Sequence, residues 1–184
     1  MQTHVLRIRE LANPAGMITG ARLLIALAFP FLTAEPVVAL VAYLFASFTD
    51  VLDGAVARRT NTASHTGAFV DGWVDKILHI NGAWSMTLHG YMPAWWMWMW
   101  FSRELVLWAM VMLFMADFRH GRVQPHSTTI WGRMTASTLF GAMVLTLAGH
   151  TDLAWPLTVV TGAVGMFAGL GYFRRHLEQR RFFD

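Results

Sequence analysis

Apolar residues gather in six long runs, roughly at 15–34, 36–58, 65–89, 93–116, 127–149 and 153–173. Each run approaches the ~20 residues that an α-helix needs to cross a bilayer. The separators are polar or turn-forming: Glu35-Pro36, Arg58 to Thr66, Gly90 to Pro93, Asp117 to Pro125, and Gly149 to Asp152. Proline and glycine at such places start or stop helices rather than continue them. Ahead of the first run, residues 1–14 form a short basic lead. Val5, Leu6, Ile8 and Leu11 line an interfacial helix there, and Asn13-Pro14 opens the next element. The pattern predicts an all-α integral membrane protein with six transmembrane helices and a short N-terminal interfacial helix. Residues 1–184 read as a single membrane domain that ends in a basic tail at 174–184.

Composition agrees. The chain is 55% hydrophobic and 14% charged, more apolar than a soluble domain of this size. It has no cysteine, which removes disulfides and thiolate metal sites. The net charge of +3 does not point to nucleic acid, because the basic residues flank apolar spans, where they meet anionic headgroups. The separators near 35, 90 and 150 carry no Lys or Arg. The lead carries Arg7 and Arg9, the polar stretch Arg58 and Arg59, the fourth separator Arg119 and Arg122, and the tail Arg174, Arg175, Arg180 and Arg181. By the positive-inside rule both termini and the polar stretch are cytoplasmic. The first run contains Arg22 and is followed by further spans, so it reads as a retained helix rather than a cleaved signal.

Four of the eleven acidic residues fall between positions 50 and 75. Asp50 and Asp53 are three apart, Asp71 and Asp75 four apart, so on helices each pair shares a face. Folded as a helical hairpin about Asn61-Thr62, the pairs come level, roughly 10 Å or more below the turn. Lys76 is the one basic side chain close to them within the apolar sequence. Four carboxylates meeting there repel one another unless a cation or protons hold them. A divalent metal is the economical holder, and hard oxygen ligands favour Mg²⁺ or Mn²⁺.

The same segment reads D-x2-D-G-x2-A-R-x8-G-x3-D-x3-D, from Asp50 through Gly54, Ala57, Arg58, Gly67 and Asp71 to Asp75. It resembles the signature of the CDP-alcohol phosphotransferase family, and eight fixed positions at fixed spacing make that a specific match. Asn13, Thr19 and Arg22 resemble the entrance to the family's first span, with a wider Asn–Thr spacing than expected. The resemblance implies a phospholipid-synthesising transferase. Asp50, Asp53, Asp71 and Asp75 would hold Mg²⁺ or Mn²⁺, two ions in all. Asp75 would also serve as general base. Gly54, Ala57, Arg58, Gly67 and Thr19 would accommodate the CDP moiety of CDP-diacylglycerol. An acceptor hydroxyl would attack the phosphorus joined to the lipid, and CMP would leave. The resemblance also implies a homodimer among membrane lipids, in a bacterial inner membrane with the site facing the cytoplasm.

Two later elements bear on the acceptor. Arg103-Glu104 and the run Trp131-Gly132-Arg133-Met134-Thr135 resemble those of phosphatidylglycerophosphate synthases. They depart at Arg133, where a Lys is usual, at Met134, where a second Lys is missing, and at Gly72, where Pro usually follows the third Asp. Arg103, Arg119, Arg122, Arg133 and Thr135 would bind the phosphate of glycerol 3-phosphate, or of another polyol phosphate such as an inositol phosphate. Their plainer readings are an internal ion pair for Arg103, a topology anchor for Arg133 and solvated loop charges for Arg119 and Arg122. A divalent-cation transporter is the alternative class, but its carboxylates would sit near the midplane with polar groups continuing outward. His65, His79 and His89 fall at different depths and make no shared metal site. The run Trp95 to Trp100 reads as an aromatic belt with lipid-facing bulk. Gly162, Gly165 and Gly169 read as a ridge for close helix packing.

Overall fold

The computed structural model describes residues 14–59, 65–113 and 130–180. Among them there are seven helices and no strand. The polar turn at 60–64, the lead before Pro14, the segment 114–129 with Arg119 and Arg122, and the last four residues lie outside the described residues. The chain falls into two compact units, divided after Tyr91.

In the first unit α1 spans Pro14–Leu32, α2 Pro36–Arg59 and α3 His65–Leu88. Proline opens both α1 and α2, where the missing N–H costs nothing and the fixed φ suits the first helical turn. α1 packs against both α2 and α3. Ala26, Phe29, Ala39 and Ala46 have no exposed surface, and the Phe29 ring meets Tyr43 edge-on at 6.3 Å. A second proline, Pro30, sits inside α1. It lacks the N–H that would bond the Ala26 carbonyl four residues earlier. Asn81 on α3 supplies the donor instead, its Nδ2 reaching the Ala26 carbonyl at 2.9 Å. At the other end of α3, Gly90 adopts φ 74°, and the amides of Gly90 and Tyr91 bond the carbonyls of Thr87 and Met86. That left-handed cap stops the helix where the sequence pattern places a turn.

In the second unit α4 spans Trp96–Trp100, α5 Ser102–Leu113, α6 Ile130–Leu147 and α7 Thr151–Arg180. α7 packs against α4, α5 and α6. Gly149, at φ 81°, ends α6 with the same cap as Gly90. The glycine ridge faces inward. A Cβ on Gly169 would lie 2.7 Å from Val106 Cβ, and one on Gly165 would run into Ser102 Oγ. The Ser102 hydroxyl uses that closeness to donate to the Gly162 carbonyl at 3.1 Å. The ridge therefore packs α7 against α5, and at Gly162 against Met99 of α4, within one chain.

Three differences from the pattern stand out. The fourth run is broken: Phe101, at φ −103° and ψ 15°, separates α4 from α5. Trp96 and Trp100 are not lipid-facing, being 5% and 0% exposed. Trp96 stacks on Trp155, and the Trp100 indole donates to Thr158 Oγ1 at 3.0 Å. Trp95 and Trp98 keep the exposed position expected of the run. Finally, the last helix runs on to Arg180 through the basic tail, where Arg174 and Glu178 pair one turn apart. By length and composition, Thr151–Glu178 is the one described helix that suffices alone to cross a membrane, with Gly16–Leu32 and Pro36–Asp50 apolar but shorter. Large apolar side chains cover the outer faces: Phe31, Leu24, Trp84, Leu113 and Phe167 are all more than half exposed.

Candidate active site

The first unit brings acidic residues from two helices to one cation. Arg22 projects from α1, and its side chain has no exposed surface. A single nitrogen, Nη1, donates to Asp50 Oδ1 on α2 at 2.6 Å and to Asp71 Oδ1 on α3 at 2.7 Å. These are short, charge-assisted bonds. The two carboxylates are 45% and 33% exposed, so the guanidinium is buried beneath them while they keep an open side. A buried guanidinium is tolerated because it is paired, and removing its partners would strand it. Lys76, the basic neighbour in sequence, lies instead over the Trp73 ring at 5.3 Å.

Asp75, one turn further along α3 from Asp71, has a half-exposed carboxylate. Its Oδ1 lies 3.4 Å from His79 Nδ1, and that nitrogen is 2.7 Å from the Asp75 main-chain carbonyl. Thr19 is buried on α1, one turn before Arg22. Gly67 is part-buried in the first turn of α3. A Cβ on Gly72 would meet nothing within 4 Å, so the position beside Asp71 is open. Asp53, Gly54, Ala57 and Arg58 lie on the helical backbone of α2, but their side-chain environments are outside the described residues.

Among the described residues no set of three or more Asp, Glu or His side chains forms a metal cage. What they do show is that carboxylates of α2 and α3 approach closely enough to share one positive charge. Hard oxygen donors, converging from two helices with an open side, suit a divalent cation.

The residues read as acceptor-binding lie in the second unit. Arg103 is paired with its neighbour Glu104, with Nε 2.9 Å from Oε1, and Nη1 donates to the Gly132 carbonyl at 3.0 Å. Thr135 is 2% exposed, and its hydroxyl donates to the Trp131 carbonyl at 2.9 Å. Arg133 is exposed on α6. Arg119 and Arg122 lie outside the described residues.

Sequence reasoning named the aspartates but missed their partner. The available signal was Arg22 itself, the one charge in an otherwise uncharged apolar run.

Comparison with known proteins decides the class. The model of the family described as CDP-alcohol phosphatidyltransferase matches residues 12–170, across the Arg22 helix, the acidic hairpin and both later elements. The chain belongs to the CDP-alcohol phosphatidyltransferase family. Two curated relatives, from Mycobacterium tuberculosis strains CDC 1551 and H37Rv, bear the name probable phosphatidylglycerophosphate synthase. Each is 30% identical over 183 residues, covering 92% of this chain and 84% of the relative. CDP-alcohol phosphatidyltransferases are membrane enzymes of phospholipid synthesis. They act on a CDP-alcohol donor and an alcohol acceptor, transferring the donor's phospho-alcohol part and releasing CMP, generally with divalent metal ions. A transporter is therefore not the class of this chain.

Proposed function

We propose that the chain moves the phosphatidyl group of CDP-diacylglycerol to a phosphorylated polyol, glycerol 3-phosphate first among them, and releases CMP. The observation that carries this reading is the meeting of Asp50 and Asp71, from two helices, on the one buried Arg22 nitrogen. The names of the two mycobacterial relatives support the choice of acceptor.

Asp50, Asp53, Asp71 and Asp75 hold two divalent cations, Mg²⁺ or Mn²⁺. When bound, these supply neutralisation of the pyrophosphate charge and stabilisation of the leaving group. Thr19, Gly54, Ala57, Arg58 and Gly67 receive the CDP moiety, the small residues letting it lie against the helix backbones. Asp75 takes the proton from the acceptor hydroxyl. The acceptor oxygen bonds to the phosphorus joined to diacylglycerol, the bond from that phosphorus to the bridging oxygen of the pyrophosphate breaks, and CMP departs with that oxygen. Arg103, Arg119, Arg122, Arg133 and Thr135 form the site for the acceptor phosphate. The enzyme spans a bacterial inner membrane six times as a homodimer, with both termini and the site on the cytoplasmic side.

A second acceptor reading has one observation behind it. Arg103 already serves Glu104 and the Gly132 carbonyl, and Thr135 serves its own helix. Among the described members of the set Arg133 is then the exposed cation, which suits another polyol phosphate, such as an inositol phosphate, as well as glycerol 3-phosphate.

The test is to incubate purified protein with CDP-diacylglycerol, Mg²⁺ or Mn²⁺ and a panel of acceptors, and to identify the lipid formed. Phosphatidylglycerophosphate is the expected product; a different phospholipid reassigns the acceptor, and no CMP with any alcohol removes the reading. Asp75→Asn should keep the fold and lose CMP release, by about a thousandfold or more. Turnover retained in that variant would take the base role from Asp75.

A further inference from the structure

The histidine below Asp75 has a second anchor. A histidine four residues along a helix often donates to the carbonyl one turn back and does nothing more. His79 makes that bond, Nδ1 to the Asp75 carbonyl at 2.7 Å, and the same nitrogen lies 3.4 Å from Asp75 Oδ1. Two acceptors face Nδ1, so that nitrogen carries the proton. Nε2 is left as an acceptor, and the Tyr43 hydroxyl of α2 lies 3.2 Å from it. Tyr43 has no exposed surface, and its ring stands at 89° to the imidazole with centroids 6.0 Å apart. The Phe29 ring of α1 also meets the Tyr43 ring, edge-on at 6.3 Å. The imidazole is thus held at both nitrogens, by its own helix at Nδ1 and by a residue of α2 at Nε2.

We propose that His79, braced by Tyr43, is a positioning residue for Asp75. The brace works in two ways. It holds the imidazole with Nδ1 3.4 Å from the half-exposed carboxylate, which otherwise has an open side in which to turn. It also ties α2 to α3 one turn along α3 from Asp75. A group that orients a reacting side chain raises the fraction of time that side chain spends in productive geometry. Such a residue changes turnover more than ground-state binding. This inference rests on the reading of Asp75 as the base.

The experiment measures kcat and KM for both substrates in purified His79→Leu, His79→Asn and Tyr43→Phe, with Asp75→Asn as reference and thermal unfolding as the folding control. His79→Leu should lower kcat about tenfold with both KM values within about twofold of the parent. His79→Asn keeps a donor at the Nδ1 position but gives up the Tyr43 contact, so its loss should match that of Tyr43→Phe and stay smaller than that of His79→Leu. Tyr43→Phe should lower kcat about fivefold, the worth of one hydrogen bond. If His79→Leu does not fold, Tyr43→Phe decides alone. Parental kcat in His79→Leu, or in Tyr43→Phe where that variant decides, beside an inactive Asp75→Asn overturns the brace and leaves the base. Equal losses in His79→Leu and His79→Asn also overturn it. An active Asp75→Asn removes the base and the brace together.

Discussion

The first unit and the second hold their helices together by different means. In the first, α1 meets α2 and α3 through polar bonds aimed at particular atoms: Arg22 to Asp50 and Asp71, and Asn81 to the Ala26 carbonyl. In the second, α7 meets α4 and α5 by lacking side chains where they need room, at Gly162 against Met99 of α4 and at Gly165 and Gly169 against α5. Both are answers to a surrounding as apolar as the helices themselves, in which burial of hydrocarbon gives little reason to associate. The polar solution places charge among the aspartates proposed as the site, and the glycine residues of the other unit carry none. The glycine solution gives close contact without charge.

The largest effect should come from Arg22→Gln. It removes the buried cation between two carboxylates, and should cost about 3 kcal/mol, the low end for a broken buried pair because the aspartates keep contact with water. Thermal unfolding in detergent checks it; an unchanged midpoint would reduce Arg22 to a bystander and dissolve the contrast. Gly165→Ala comes next, at about 1–3 kcal/mol, because its methyl meets Ser102 Oγ. Adding Ser102→Gly should return part of the loss, and no return would mean that the ridge is not what sets the spacing. Asn81→Leu should cost about 1–2 kcal/mol by leaving the Ala26 carbonyl without a donor. Paired with Pro30→Ala, which restores the helical N–H, the cost should shrink; strict additivity in the double variant would sever Asn81 from the proline.

Much of this could be read from the chain beforehand, for identifiable reasons. The helix ends at Pro14, Pro36, Gly90 and Gly149 were legible because proline and glycine act locally. The break at Phe101 was not, since a run of Trp and Met carries no polar mark at the point where it bends. Nor was the helical tail: residues after the last apolar run read as headgroup-bound charge, although RRHLEQ is built of good helix formers. At the site, the spacing of the aspartates told which faces they share. It did not tell what they meet there, because Arg22 lies 28 residues from Asp50 and 49 from Asp71. His79 was discounted as a metal ligand on depth alone, and its partnership with Tyr43, 36 residues away, is equally a product of packing.

The most direct test of the central claim is Mn²⁺ binding to the purified protein, followed by electron paramagnetic resonance as the free-ion signal is lost, beside CMP release on the same samples. If α2 and α3 bring their carboxylates together around divalent cations, the parent protein quenches the Mn²⁺ signal and releases CMP. Asp50→Asn and Asp71→Asn, on opposite helices, then lose both properties while remaining folded. Parental Mn²⁺ binding in both variants would contradict the claim.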